Sequence, residues 1–408
     1  MQLYDTARGQ VVPFQAGPVV TVYTCGITPY DSAHLGHAAV YLTFDVLRRR
    51  LEDTGHRVRC VRNVTDVDDD ILRKARELGV HYLDLAAEEM ARFDSEMKAL
   101  GLRSPEAEPR ATSAIPDILA LVGAALDTGH AYRSGGGVYF DVATFPGFGK
   151  VSHLSEPEML SLAAEHGGNP DDPAKRHPLD FVLWQPSLPD EPSWESRWGP
   201  GRPGWHVECS ALAMRELGPT IDLHGGGRDL VFPHHECETA QSEAVTGRQF
   251  VRHWLHVGLV GLGGQKMSKS LGNLVFVGDL LESWEPAVVR LALLAHHYRA
   301  DWQWDDAELE VAAARLERWR AAGTWRRDRS DGGAAALEAV RERLDDDLDV
   351  PGALVALDEL ADAGAPVAPG GALLGVDLHG AGLHGAGLLG DEPLGARRLG
   401  AARCAEGR

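Results

Sequence analysis

Cys25, His34 and His37 stand close together in the stretch TCGITPYDSAHLGHA (24–38). A thiolate can hold a soft or borderline metal ion. An imidazole at the start of a helix can donate to a phosphate, because that end of a helix carries unpaired N–H groups and a partial positive charge. Gly36 lets a ligand come close to the backbone. The same two histidines could instead cap or line the helix. A second stretch, GGQKMSKSLGN (263–273), sets Lys266 and Lys269 in a Gly-rich loop. Two such lysines either face solvent or meet negative charge. With HLGH far ahead of them on the same chain, they point to nucleotide activation.

The elements that must position these groups are legible in the pattern. PVVTVYTC (18–25) is β-branched and ends at a turn, as a buried strand does. AHLGHAAVYLTFDVLRRRLEDTG (33–55) has apolar residues at helical spacing and stops at Gly55. VRCVRNVTD is a second strand, and DDDILRKARELG opens a second helix with acids in its first turn. This β-α-β-α order predicts a parallel sheet covered by helices. Residues 80–135 read mostly as helices, an insertion into that pattern. HVECSALAMREL, PTIDLHGGGRDL and HHECETAQSEAVTG then resume helix, strand with loop, and helix. Residues 284–362 are helical in pattern. The segment 379–408 turns to Ala, Gly, Leu and Pro, repeats LHGAG (378–382 and 383–387), and is expected to be a disordered tail.

Composition narrows the class. The 408 residues are 44% hydrophobic and 25% charged, ordinary values for a soluble globular protein. The N-terminus, MQLYDTARGQ, lacks an apolar signal core, no run reaches the ~18 apolar residues of a membrane span, and a cytoplasmic location is expected. A net charge of −20 disfavours a broad basic surface for nucleic acid. The five cysteines, Cys25, Cys60, Cys209, Cys237 and Cys404, are scattered and odd in number, so they are not a disulfide framework. They are either buried thiols or metal ligands.

HLGH (34–37) followed by KMSKS (266–270) resembles the two signatures of class I aminoacyl-tRNA synthetases. CGITPYD (25–31), RPGWHVEC (202–209) and FPHHECE (232–238) narrow the resemblance to cysteinyl-tRNA synthetases and the related mycothiol ligases. The resemblance implies an α/β fold: a class I synthetase-like Rossmann core with a parallel sheet over about 1–280, interrupted by the helical insertion, then a helical domain over 281–378. It implies that His34 and His37 hold ATP phosphates, while Lys266 and Lys269 stabilise charge developing near the α-phosphate. It implies one zinc ion per chain, held by Cys25, Cys209 and His234. Glu238, four residues after His234 on the same helix face, is a further ligand in many of the synthetases. Cys237 is expected to face elsewhere. Such an ion, with an open position, would select a thiol over a hydroxyl. Around the cysteinyl adenylate the resemblance places Cys25, Gly26, Ile27, Thr28, Val40, Asn63, Val64, Thr65, Trp205, Gly227, Arg228, Asp229 and Val260. Each has a structural alternative: Asn-x-Thr is often a turn, and a tryptophan is usually core.

The acceptor of the activated cysteine is either a tRNA hydroxyl or the amine of glucosaminyl-inositol. CGITPYD in place of CGPTVYD, the final His of HLGH, and EHGGNP (165–170), similar to the ERGGDP segment of mycothiol ligases, favour the amine. The short stretch after 280 leaves little room for an anticodon-binding domain. Glu238, PLDFVLW and the basic segment ERWRAAGTWRRDR (317–329) pull toward tRNA or another amine. The expected partners are therefore L-cysteine, ATP with Mg2+, and glucosaminyl-inositol, with no tRNA or membrane, acting on a monomer. Both signatures are intact, which argues against a binding-only paralogue. No general base for the second step stands out.

Overall fold

The computed structural model describes residues 1–267, 272–323 and 330–378. Lys269 and the tail expected over 379–408 lie outside these residues. The chain opens with an antiparallel ribbon of β1 (Gln2–Asp5) and β2 (Gln10–Pro13). β3 (Val19–Ile27), α1 (Leu35–Asp53) and β4 (Arg57–Val64) form a βαβ unit with β3 and β4 parallel. α2 (Asp69–Leu78) is capped by Asp68, whose side chain accepts the Ile71 N–H, and α3 (Tyr82–Ala99) follows it. After α4 (Ile115–Asp127) comes a separate antiparallel sheet in the order β5-β6-β7-β8: Ala131–Ser134, Gly137–Phe140, Phe181–Gln185 and Arg202–Pro203. α5 (Glu156–Glu165) lies between β6 and β7. α6 (Trp205–Leu217), β9 (Leu223–Gly227), α7 (Glu236–Thr246) and β10 (Trp254–Val257) then complete a four-stranded parallel sheet of order β10-β9-β3-β4.

β11 (Val260–Leu262) pairs with β12 (Gln265–Lys266). Beyond α8 (Val277–Leu281) and α9 (Pro286–Leu294), the short β13 (Trp302–Gln303) returns parallel to β11. α10 (Ala307–Gly323), α11 (Ser330–Asp345), α12 (Val350–Asp362) and α13 (Ala368–Leu373) end the described chain. These helices share one hydrophobic core with α1 and the parallel sheet, and Met1–Leu378 pack as one compact unit.

One segment differs from the sequence reading. The stretch inserted between the parallel strands does not end near 135; it runs on to β8, and its second half is sheet. Its strands are short (AYRS, GVYF, FVLWQ), and a hairpin turn at Gly135 and Gly136, with φ of 55° and 82°, joins the first two. Four-residue strands carry too little alternation to stand out beside strong helical periodicity.

A buried ion pair joins the sheet-covering helix to the C-terminal helices. Arg290, 1% exposed, donates to Asp45 Oδ2 at 2.6 Å and to the carbonyls of Leu374 (2.8 Å) and Leu100 (2.9 Å). Burial works against the Asp45 charge, but Arg290 and Arg49 overcome it and hold its carboxyl below the usual range. Removing one partner of such a pair strands the other. Arg290→Met is therefore expected to destabilise the fold by about 3 kcal/mol, measured by urea denaturation at pH 7. A depressed carboxyl contributes stability above its unfolded value, about 3.9, and loses it as pH falls through the folded value. The gap between wild type and variant should accordingly narrow below about pH 4.

Candidate active site

The carboxyl ends of β3 and β9 meet where the strand order reverses, the place at which open α/β sheets bind ligands. The register between β3 and β4 shifts between Thr24 and Ile27, a bulge that re-aims the end of the strand. Gly26 sits in that bulge; a Cβ there would lie 1.5 Å from the Asn63 carbonyl oxygen, so only glycine fits. Its N–H donates to Asn63 Oδ1 at 2.8 Å, and Asn63 Nδ2 donates to Thr65 Oγ1 at 3.1 Å. Asn63, Val64 and Thr65 are buried behind β3. They hold the strand end, next to the cavity-lining Gly26, and are not themselves among the residues that line the cavity.

A cavity of about 1080 Å³ opens over these strand ends. Cys25, Gly26, Ile27 and Thr28 line it, as do His34, Gly36, His37, Val40, Trp205, Gly227, Asp229 and Val260, all where the sequence reading expects ligand contacts. Arg228 is the other exception. It turns outward to Asp301 at 2.9 Å and to the Arg299 carbonyl, and steadies the turn from outside. Thr28 donates to Asp68 Oδ2 at 2.8 Å, and burial pushes the Asp68 carboxyl up to about 6.

His34 is the N-cap of α1. Its Nδ1 accepts the Gly36 N–H at 3.1 Å, so in the neutral ring the proton sits on Nε2, which is then a donor. His37 stacks on it with ring centroids 3.8 Å apart. The segment leaving the lysine loop is clamped to this helix end: Leu35 N–H donates to Val275 O at 3.0 Å and Val277 N–H to Ala33 O at 2.9 Å. The backbone of Lys266 belongs to β12, opposite Gly261. The two signature segments therefore flank one site.

Cys25 also belongs to a second, buried cluster. One ligand atom from each of Cys25, His234, His235 and Glu238 lies within 4.8 Å of all the others. Cys25 Sγ is 3.2 Å from His235 Nε2, 3.5 Å from Glu238 Oε1 and 4.0 Å from Cys209 Sγ. His234 Nε2 is 2.9 Å from Glu238 Oε1 without a well-aligned hydrogen bond between them. Cys209, expected as a ligand, is not one of the four closest groups but touches Cys25; His235, not expected, is one of them.

The electrostatics are those of a cation site. The hydrogen bond from Cys25 and the charge of His234 pull the Cys209 thiol down, against burial. Burial, Cys209 and Glu238 push the Cys25 thiol up. Burial works against the His234 cation, but Cys209 and Glu238 raise it to about 10. Burial likewise works against the Glu238 anion, but His224 and His234 hold it at about 2. Two thiols, imidazoles and a carboxylate, all buried and in reach of one another, fit a borderline divalent ion such as zinc.

Around this cluster stand groups that sequence reasoning missed. His206 Nδ1 is 2.9 Å from His234 Nδ1, His256 Nε2 is 2.7 Å from His235 Nδ1, and His224 Nε2 is 3.1 Å from Glu238 Oε2. Such outer partners fix ring orientation and tautomer. For His224 and His256 the available signal was histidine inside otherwise apolar strands, DLHGG and WLHVG; His206 opens α6 beside Trp205. Glu236 accepts from the N–H groups of Gly149 (2.8 Å), Val151 (3.0 Å) and Ser152 (2.8 Å), and so seats a loop of the insertion. Cys237 is outside the ligand cluster, as the sequence reading expects, yet it lines the cavity.

Residues 11–314 match the family model of the tRNA synthetases class I (C) catalytic domain. The chain is 48% identical over 373 residues to a protein of Nocardiopsis dassonvillei named L-cysteine:1D-myo-inositol 2-amino-2-deoxy-alpha-D-glucopyranoside ligase, covering 91% of each chain. Proteins of the same name from Thermomonospora curvata and Streptomyces avermitilis are also 48% identical, covering 93% of this chain and 94% and 96% of theirs. Among solved structures, Mycobacterium tuberculosis methionyl-tRNA synthetase in complex with methionyl-adenylate superposes with a TM-score of 0.62 at 19% identity, over 84% of this chain and 82% of that one. A leucyl enzyme in a ternary complex from Agrobacterium radiobacter K84 gives 0.57 at 12%, over 90% and 83%. These structural likenesses concern the fold: it is class I synthetase-like.

Proposed function

The chain belongs to the family of class I (C) tRNA synthetase catalytic domains and to the L-cysteine:1D-myo-inositol 2-amino-2-deoxy-alpha-D-glucopyranoside ligases, and from that premise we infer an ATP-dependent ligase that joins cysteine to glucosaminyl-inositol in mycothiol biosynthesis. The observation that carries the reading is Cys25, which belongs both to the buried ligand cluster and to the cavity that also holds His34 and His37. A thiol-selecting centre and a phosphate-binding helix end thus open into one space.

In the first step a carboxylate oxygen of cysteine attacks the α-phosphorus of ATP, supplied with Mg2+, and the bond to pyrophosphate breaks. The α1 N-terminus and the Nε2 of His34, with His37 beside it, draw the triphosphate down over Gly36. Lys266 and Lys269 meet the charge that develops at the α-phosphate. Thr28, held by Asp68, and Trp205 border the cysteinyl end. Gly227, Asp229 and Val260 border the nucleoside. A zinc ion held by Cys25, Cys209 and His234, with Glu238 at its side, would supply a contact that prefers a thiolate to a hydroxyl. In the second step the acceptor amine attacks the activated carbonyl carbon, the bond to AMP breaks, and the amine gives up one proton. Holding both partners in one cavity supplies much of the rate, because the mixed anhydride is already reactive.

Among the described residues no helix is long and apolar enough to cross a membrane, and dependence on ATP and reduced thiols supports action in the cytoplasm. The deciding experiment offers radiolabelled cysteine and ATP with either glucosaminyl-inositol or total tRNA. The expected result is label in the amide only. Charged tRNA without amide would overturn the acceptor assignment.

A further inference from the structure

We propose that the cavity wall built by the antiparallel insertion, around Tyr139, Asn169, Asp172 and Lys175, is the subsite that binds the polyhydroxylated amine acceptor. The inference rests on the reading above that the acceptor is glucosaminyl-inositol.

The cavity has two unlike halves. The strand ends and α1 account for an activated amino acid and its nucleotide. The opposite half comes from β6, β7 and the segment after α5, and includes all four residues named. Ligand pockets run to roughly 300–1,000 Å³, and the 1080 Å³ here leaves room for a second molecule beside an adenylate.

The chemistry of that wall suits a polyol. Tyr139 donates to Asp172 Oδ2 at 2.9 Å, while Asp172 Oδ1 accepts the Ala174 N–H at 2.9 Å. The carboxylate is thereby aimed, yet each oxygen keeps a lone pair for a hydroxyl. Lys175 is half-buried, donates to the Gly168 carbonyl, and reaches the Pro178 carbonyl at 3.5 Å. Burial pushes its ammonium down, so a further oxygen acceptor would be welcome. Gly167 and Asn169 adopt left-handed φ values of 76° and 43°, a tight turn that sets Asn169 at the cavity edge. The wall is rigid beneath: Asp180, 1% exposed, accepts from Val142 N–H (3.0 Å), Tyr132 Oη (2.6 Å) and His177 N–H (2.9 Å).

Charge distinguishes the acceptor classes. Glu165, Asp172 and Asp180 line this half, and Asp68, Asp69 and Asp70 line the cavity near Thr28. Such a surface repels the phosphodiester backbone of a tRNA and attracts an amino sugar, whose nitrogen arrives as a cation and must shed a proton before its lone pair can attack.

The test uses the full-length protein saturated with the non-hydrolysable analogue 5′-O-[N-(L-cysteinyl)sulfamoyl]adenosine and titrates glucosaminyl-inositol by calorimetry. For Asp172→Ala the acceptor Kd is expected to rise at least about tenfold relative to the Kd of the analogue on the same protein, as loss of a charged hydrogen-bond partner does. For Tyr139→Phe, which removes one hydroxyl and leaves the ring packed, the expected rise is about threefold to tenfold. If Asp172→Ala does not fold, Asp172→Asn and Tyr139→Phe carry the test. Wild-type affinity for the acceptor in these variants would overturn the subsite while leaving the ligase reading intact. A wild-type protein that takes up the analogue but neither binds nor cysteinylates the amino sugar would overturn both.

Discussion

Cys25→Ala is expected to empty the ligand cluster of its metal and to lower cysteine-dependent pyrophosphate exchange at least ~10³-fold, about 4 kcal/mol of transition-state stabilisation. Cys25 stands within 4.0 Å of Cys209 and closer still to His235 and Glu238, so its loss opens the cluster on the side that faces the cavity. What remains is a buried carboxylate, two imidazoles and the Cys209 thiol, which has lost the Cys25 hydrogen bond that did most to lower it. The measurement is metal content by mass spectrometry alongside exchange. Cys60→Ala is the control: Cys60 is a half-buried thiol on β4 whose side chain packs against the main core, and it is not one of the clustered groups. A Cys25→Ala protein that kept one metal per chain and normal exchange would remove the basis for assigning the thiol-selecting centre.

His37→Ala is expected to lower kcat for exchange by about 10²–10³-fold, the usual cost of deleting one preorganised donor at a developing charge. The KM for cysteine should move less than about threefold, because the proposed thiol site is the Cys25 ligand cluster while His37 sits at the helix end. His37→Asn keeps a donor of similar reach and should recover most of the rate. His34→Ala should cost stability as well as rate, since His34 also caps α1. Equal losses in kcat and in cysteine affinity for His37→Ala would show that the residue shapes the whole cavity and does not act on phosphate.

Much of this site was legible in the sequence because the signals are local. His34 and His37 are read from their place at a helix start, a geometry that a few residues settle among themselves. His234 comes from the resemblance carried by FPHHECE, and spacing sets Glu238 beside it, since residues four apart share a helix face; the structure puts His234 Nε2 2.9 Å from Glu238 Oε1. Other parts could not be read in this way. Asn63, Val64 and Thr65 were expected as ligand contacts; that Asn63 accepts the Gly26 N–H beside a bulge in the neighbouring strand is set by strand register, which no pattern within the triplet encodes. Arg228 followed a matching motif yet found Asp301, far along the chain.

By itself the sequence determined the parallel βαβ core, the helix that starts at HLGH and the kinds of atom offered to a metal. Each of these depends on hydrogen bonds and side-chain directions within one or two turns. Only the tertiary structure decided that Cys25 meets His235 across 210 positions, that three further histidines stand behind the cluster, and that the insertion turns into a sheet lining the same cavity as the ends of β3 and β9. Those outcomes depend on strand register and on how separate elements pack, and no local pattern encodes the distance between two segments that meet only when the core closes.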